Sequence, residues 1–156
     1  HDEMRAHLDV LEGVAGELAS TGRLAEHQLA SLCGTLAFLD VAVPLHTADE
    51  EETLFPELCR LSPVADARYS PLESIQTEHR GHGVSELRLK IALINRDATS
   101  ASRLAIEIAD AYRYHLRKEE EILFPWAEAV LDGSDVEGEL AEEMLSRWRA
   151  CGLARP

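Results

Sequence analysis

The sequence contains two copies of a histidine–glutamate block that could bind a metal ion. Residues 45–56 read LHTADEEETLFP and residues 114–125 read YHLRKEEEILFP, so both copies share the pattern His-x3-Glu-Glu-Glu-x-Leu-Phe-Pro. A solvated acidic surface is the alternative interpretation of such glutamate-rich runs. It does not explain why a histidine recurs at one fixed offset from the acids. The repetition therefore favours a metal site over a charged surface.

The spacing inside each block brings an imidazole and a carboxylate together. Residues four apart lie above one another on one face of an α-helix. His46 with Glu50, and His115 with Glu119, are spaced in this way. Buried without partners, these groups would cost several kcal/mol each. Two such pairs on two helices predict a metal site inside a helix bundle. The glutamates next to them turn away from this face and are expected to be solvated: Glu51, Glu52, Glu120 and Glu121.

Two further helices should supply the remaining ligands. On one of them the candidates are His79 and His82. His79 falls near the middle of the apolar face predicted from the helical period, whereas His82 is rotated to one side. We therefore prefer His79 and keep His82 as an additional or supporting group. That predicted face consists of Leu72, Ile75, Leu87 and Ile94.

The first helix offers a choice that periodicity does not resolve. His1 and His7 flank its apolar face on opposite sides. His27 lies on the exposed part of the second helix and is predicted to be a surface residue.

The apolar spacing predicts an all-α fold, an antiparallel up-down four-helix bundle with a short C-terminal fifth helix. The four long helices run from 1 to about 20, from about 23 through the first block, from Ser70 to about 94, and from about 99 through the second block. Pro44 should kink the second helix, and each Leu-Phe-Pro should bend or end its helix. A capping box at Ser134 and Glu137 opens the fifth helix. Residues 1–131 form the predicted bundle, and 132–156 a C-terminal helical extension.

Composition excludes several other classes of function. A chain of 156 residues predicts one domain, and a net charge of −14 argues against binding to nucleic acid or to an anionic membrane. The three cysteines lack paired spacing, so neither a disulfide framework nor a thiolate metal site is indicated. No uninterrupted apolar run has the length of a membrane span, and no signal peptide is visible. We expect a cytoplasmic protein. The sequence begins at His1, which leaves open whether an upstream segment precedes it.

With these motifs in place, the sequence resembles the hemerythrin-like (HHE cation-binding) family over about residues 1–131. That family has the pattern His … His-x3-Glu … His … His-x3-Glu on four antiparallel helices. Its members typically open with His-Asp-Glu-Leu/Met-Arg, and residues 1–5 here read His-Asp-Glu-Met-Arg. This resemblance selects His1 over His7. Glu78-His79 is similar to the Glu-His of the family's third helix.

The resemblance implies a non-haem di-iron site with an oxo or hydroxo bridge. Its ligands would be His1, His46, His79, His115, Glu50 and Glu119, with both carboxylates bridging the irons. Open positions would bind O2, peroxide or NO, in oxygen or redox sensing, storage or detoxification. The alternatives are a metal-dependent peroxide-decomposing or oxidase activity, and an iron-sensing regulatory module. No His-Glu-x-x-His occurs, which disfavours a hydrolytic zinc enzyme.

The sequence departs from the oxygen-carrying hemerythrins in two places. Those proteins have a fifth histidine four residues after that of the third helix, where this chain has Gly83 and places His82 one residue earlier. They also carry an aspartate five residues after the last histidine, where this chain has Glu119 at four. These departures argue against stable, reversible carriage of O2.

Overall fold

The computed structural model describes residues 1–62, 71–132, 134 and 136–152. Almost all of them are helical, and no β-strand occurs within these ranges. The chain is therefore an all-α helical bundle with a short C-terminal helix. Its α-helices are α1 (Asp2–Thr21), α2 (Glu26–Ala48), α3 (Phe55–Leu61), α4 (Pro71–Ile94), α5 (Ala98–Lys118), α6 (Phe124–Leu131) and α7 (Glu137–Ala150), and two π-helical turns are π1 (Asp49–Leu54) and π2 (Glu119–Leu123).

The chain divides into two compact units. The first contains residues 1–41 and 77–118, and the second contains the described parts of residues 42–76 and 119–156. In the first unit α1 packs along α5. The second unit is built around an apolar cluster to which α3, α6 and α7 contribute. The predicted division of the chain into a bundle of residues 1–131 and a C-terminal helical extension of residues 132–156 stays a prediction.

The apolar period of α1 gives the buried face that the sequence predicts. Its buried side chains recur at steps of three and four residues: Met4, Leu8, Leu11, Ala15 and Leu18. The helix ends where predicted, because Gly22 adopts a left-handed conformation (φ 65°) and its N–H donates to the carbonyl of Leu18.

The predicted face of α4 was wrong in its second half. Leu87 and Ile94 are exposed. The buried positions continue instead through His82, Glu86 and Leu89. His82 and Glu86 thus occupy part of the core-facing stripe, while some apolar residues of α4, such as Leu87 and Ile94, face solvent. A reading of periodicity that follows only apolar residues selects the wrong side of such a helix.

Neither Leu-Phe-Pro motif ends its helix, which was one of the two outcomes that the sequence predicted. The chain stays helical past both of them, but the turn before each proline widens from an α- to a π-helical one. In π1 the Phe55 N–H donates to the carbonyl of Glu50, five residues earlier. Pro56 and Pro125 have no N–H, and a proline ring clashes with the carbonyl four residues before it. A wider turn relieves that clash, and such turns are frequent at functional sites.

The leucine and phenylalanine of these motifs have a packing role. Leu54, Phe55 and Leu123 are buried in the apolar cluster of the second unit. Leu58 and Leu140, from α3 and α7, belong to the same cluster. The repeated motif therefore anchors the helices that carry the histidines and glutamates.

Several helix boundaries differ from prediction by a few residues. α2 begins at Glu26, three residues later than expected, and runs through Pro44 without a break. α5 begins at Ala98 because the Asp97 carboxylate accepts the N–H of Ser100 (3.0 Å) and caps the helix. α7 begins at Glu137 after Val136, which corrects the predicted capping box, since no side-chain cap is made there.

Residues 63–70, which include the predicted start of the third long helix at Ser70, lie outside the described residues, and α3 before them ends at Leu61. Within the described part of the chain, one continuous helix, Glu26–Leu61, is long and apolar enough by length and composition to cross a membrane. Of its most apolar stretch, 39% is buried inside the protein, and a buried core helix meets the same criterion.

We expect the α1 face to contribute strongly to stability. Leu11→Ala removes a fully buried side chain and should lower the free energy of unfolding by about 2–5 kcal/mol. Val10→Ala, at the exposed neighbouring position, is the matched control and should change it by less than about 0.5 kcal/mol. Urea unfolding followed by circular dichroism measures both. Equal effects of the two variants would contradict the assigned face.

Candidate metal centre

The two histidine–glutamate pairs lie together in the folded chain. One ligand atom from each of His46, Glu50, His115 and Glu119 lies within 4.8 Å of the other three. His46 Nε2 is 3.2 Å from Glu119 Oε1 and 3.9 Å from Glu50 Oε1. All four side chains are buried, and Glu119 is fully buried. The predicted convergence of the repeated pairs is therefore present in the structure.

His79 on α4 meets His115 on α5. Their Nε2 atoms are 3.1 Å apart. Two nitrogen ligands about 2.1 Å from one metal ion, at the right angle of an octahedral site, would be separated by about 3 Å. The observed separation suits a shared cation as well as a hydrogen bond between the rings. His79 itself is half-buried.

Glu78 orients the ring of His115. The Glu78 Oε2 atom is 2.9 Å from His115 Nδ1. A carboxylate only accepts, so the network assigns the proton of His115 to Nδ1 and leaves a lone pair on Nε2. Burial alone would raise the pKa of Glu78, but hydrogen bonds and charges from Lys118 and His115 outweigh it and lower that pKa. A carboxylate in this position is a common support of metal-binding histidines.

His82 lies closer to the core than the sequence predicted. It is buried, its ring centroid is 4.9 Å from that of His115, and it lies 4.1 Å from the ring of Tyr112. The Tyr112 hydroxyl donates to Glu86 Oε1. Burial raises the pKa of Glu86 above its ordinary 4.5, and burial with the Glu86 charge raises that of Tyr112. This buried polar group extends the site along α4 and α5.

The remaining histidines, His1, His7 and His27, lie in three different environments. His1 precedes α1 as its N-terminal cap residue and is half-buried, and it is not among the four clustered residues. His7 stacks on Phe38, with ring centroids 3.9 Å apart, and its Nδ1 lies 3.4 Å from Thr35 Oγ1. His27 is exposed, as predicted.

Most of the neighbouring glutamates face solvent. Glu52, Glu120 and Glu121 are exposed, as expected, whereas Glu51 is half-buried. The three cysteines are also exposed and unpaired with one another.

Sequence reasoning named Glu78 only as part of the Glu-His motif, and it missed four other polar residues around the centre: Asp49, Glu86, Tyr112 and Lys118. Some of them carried a signal. Tyr112 precedes His115 by three residues, and Glu86 follows His82 by four, so each shares a helix face with a histidine. Reading α4 for polar as well as apolar recurrence would have found that face.

A small cavity lies between α4 and α5, beside His82 and Tyr112. Its volume is about 300 Å³. Glu78, His82, Ser85 and Tyr112 line it, and Gly81 borders it without a side chain. His82, the buried histidine of α4, therefore borders a space large enough for a small molecule.

The donor set fits a transition-metal cation. Imidazole nitrogens and carboxylate oxygens suit iron and manganese, whereas the chain offers no thiolate at the centre. Two buried carboxylates this close repel each other when both are ionised. A bound cation offsets both that repulsion and the cost of burial.

The chain matches the model of one known protein family. The family model described as the hemerythrin HHE cation binding domain matches residues 1–127. No curated protein and no solved structure matches the chain. α7 lies outside the matched region.

We expect Glu86 to make stability depend on pH. A carboxyl whose pKa is raised in the folded state favours folding below its unfolded pKa, and this contribution is lost as pH rises through the folded pKa. The Glu86→Gln variant keeps a hydrogen-bond acceptor for Tyr112. Its amide does not titrate, so the variant does not lose stability in this way as the pH rises. Urea unfolding of chelator-treated protein should therefore show the variant gaining stability relative to wild type from pH 4.5 to pH 7. A difference that is constant across this range would contradict the assignment.

Proposed function

Because the chain belongs to the hemerythrin HHE cation-binding family, we propose that it is a non-haem di-iron protein that binds O2, peroxide or NO. Its role would lie in oxygen or redox sensing, storage or detoxification. One observation carries the proposal: two buried carboxylates and two buried imidazoles have ligand atoms within 4.8 Å of one another. A cation held by this set stabilises charges that the interior would otherwise disfavour.

We assign six ligands to the proposed pair of ions. Glu50 and Glu119 would bridge them. The nitrogen ligands would be His1, His46, His79 and His115. The 3.1 Å approach of His79 to His115, and the 3.2 Å approach of His46 to Glu119, support placing each pair on one ion. Iron bound there would supply redox chemistry and open coordination positions for a small ligand.

The chain's own residues prepare the site for that chemistry. Glu78 holds the Nδ1 proton of His115 and so directs the Nε2 lone pair inward. Burial of Glu50 and Glu119 excludes water from the carboxylates. The cavity at Gly81 and His82 is the proposed route by which O2, peroxide or NO reaches the centre.

We expect purified protein to contain about two equivalents of iron and to show a ligand-to-metal charge-transfer band in the visible spectrum after anaerobic reduction and exposure to air. His46→Ala and His115→Ala each remove a buried donor and should lose most of the iron and the band. His27→Ala changes an exposed histidine and is the matched control. Metal analysis with a visible spectrum measures all three.

Two further results would decide between this proposal and its alternatives. Colourless wild-type protein that takes up no iron under anaerobic reconstitution would end it. If iron is bound, release of oxygen from added hydrogen peroxide, lost in His115→Ala, would assign the site to peroxide decomposition rather than to binding alone.

A further inference from the structure

The C-terminal helix α7 contacts the π-helical turn that carries Glu50. Asp49, one residue before Glu50, is 97% buried and accepts two hydrogen bonds from α7. Arg147 Nη1 donates to Asp49 Oδ1 (2.5 Å), and the indole N–H of Trp148 donates to Asp49 Oδ2 (2.6 Å). Hydrogen bonds to a buried carboxylate are among the strongest in proteins.

A second set of bonds fixes the same turn one step further along. Thr53 is buried, and its hydroxyl donates to Glu143 Oε1 (2.8 Å) while accepting from Arg147 Nη2 (3.1 Å). Asp49 and Thr53 are four residues apart and face α7 together. Glu50 is rotated from Asp49 by roughly a quarter of a turn, and it faces His46 instead. Bonds to residues 49 and 53 therefore restrain the rotation of the turn that carries Glu50.

The second block lacks this contact, although the two sequences align without a gap. Lys118 stands where the first block has Asp49, and it bonds to Glu78 of α4. Ile122 stands in the place of Thr53, and its side chain is half exposed. The interaction with α7 is thus specific to the first block, and it is built by a helix outside the family match.

We propose that Asp49, Arg147 and Trp148 are positioning residues that hold the Glu50 carboxylate in the geometry required for metal binding, so that α7 completes the metal centre. This inference rests on the proposed function. Supporting residues of this kind typically change metal affinity by about 10- to 100-fold when they are replaced. Binding energies are reciprocal, so metal bound at Glu50 should in turn hold α7 in place.

The test measures Fe(II) binding to the full chain. Chelator-stripped protein is titrated anaerobically with Fe(II) against a competing chelator. Asp49→Asn and Arg147→Gln should weaken binding about 10- to 100-fold. The matched control is Arg149→Gln, because Arg149 lies on the same helix, is exposed, and pairs with Glu142 of α7 itself. It should leave the dissociation constant within about twofold.

A second measurement separates positioning from simple stabilisation. Hydrogen exchange of the α7 amides should slow when Fe(II) is added to wild type and to Arg149→Gln, and much less when it is added to Asp49→Asn. Variants that melt at a lower temperature, but bind Fe(II) as tightly as wild type, would overturn the inference. Wild-type protein that binds no Fe(II) would overturn the proposed function and this inference together.

Discussion

Burial of negative charge is the constraint on which the rest of this structure depends. Glu50 and Glu119 lie in the interior, each one helical turn after a histidine, and ionised carboxylates are costly there unless a cation accompanies them. The surrounding residues orient the groups of the site and hold the helices that carry them. Glu78 orients His115, Lys118 bonds to Glu78, and the apolar cluster of the second unit anchors the helices. A cation of the kind that this family binds would offset the cost of these buried carboxylates.

The sequence was sufficient to predict the helices and the paired donors, because these features depend on residues that are close together in the chain. The His-x3-Glu spacing places two donors on one face wherever a helix forms, and the repetition of the block identified the pair of helices that carry the donors. Gly22 and the period of α1 fixed a helix end and a buried face for the same reason. These features need only neighbours along the chain, and the structure has them where the sequence predicts them.

What sequence reasoning missed depends on contacts between distant residues or on backbone geometry. The burial of His82 and Glu86 follows from packing that no apolar period records, because these two polar residues interrupt the apolar residues in the buried stripe of α4. The partners of Asp49 lie about a hundred residues away on α7. The helices continue through π-helical turns where the sequence allowed them to end, because a proline can be accommodated by widening a turn as well as by ending the helix.

The π-helical turns also change which residues of the following helix face the interior. A π-helical turn contains about one residue more than an α-helical turn. Each residue after it therefore points in a different direction from the one that an unbroken α-helix would give it. The stripe that faces inward before π1 is therefore continued by a different set of positions after it, where Phe55 and Leu58 become core residues. An uninterrupted α-helical frame over the same residues would instead rotate these two side chains away from the interior by about 100°, the angle that one residue adds to an α-helix.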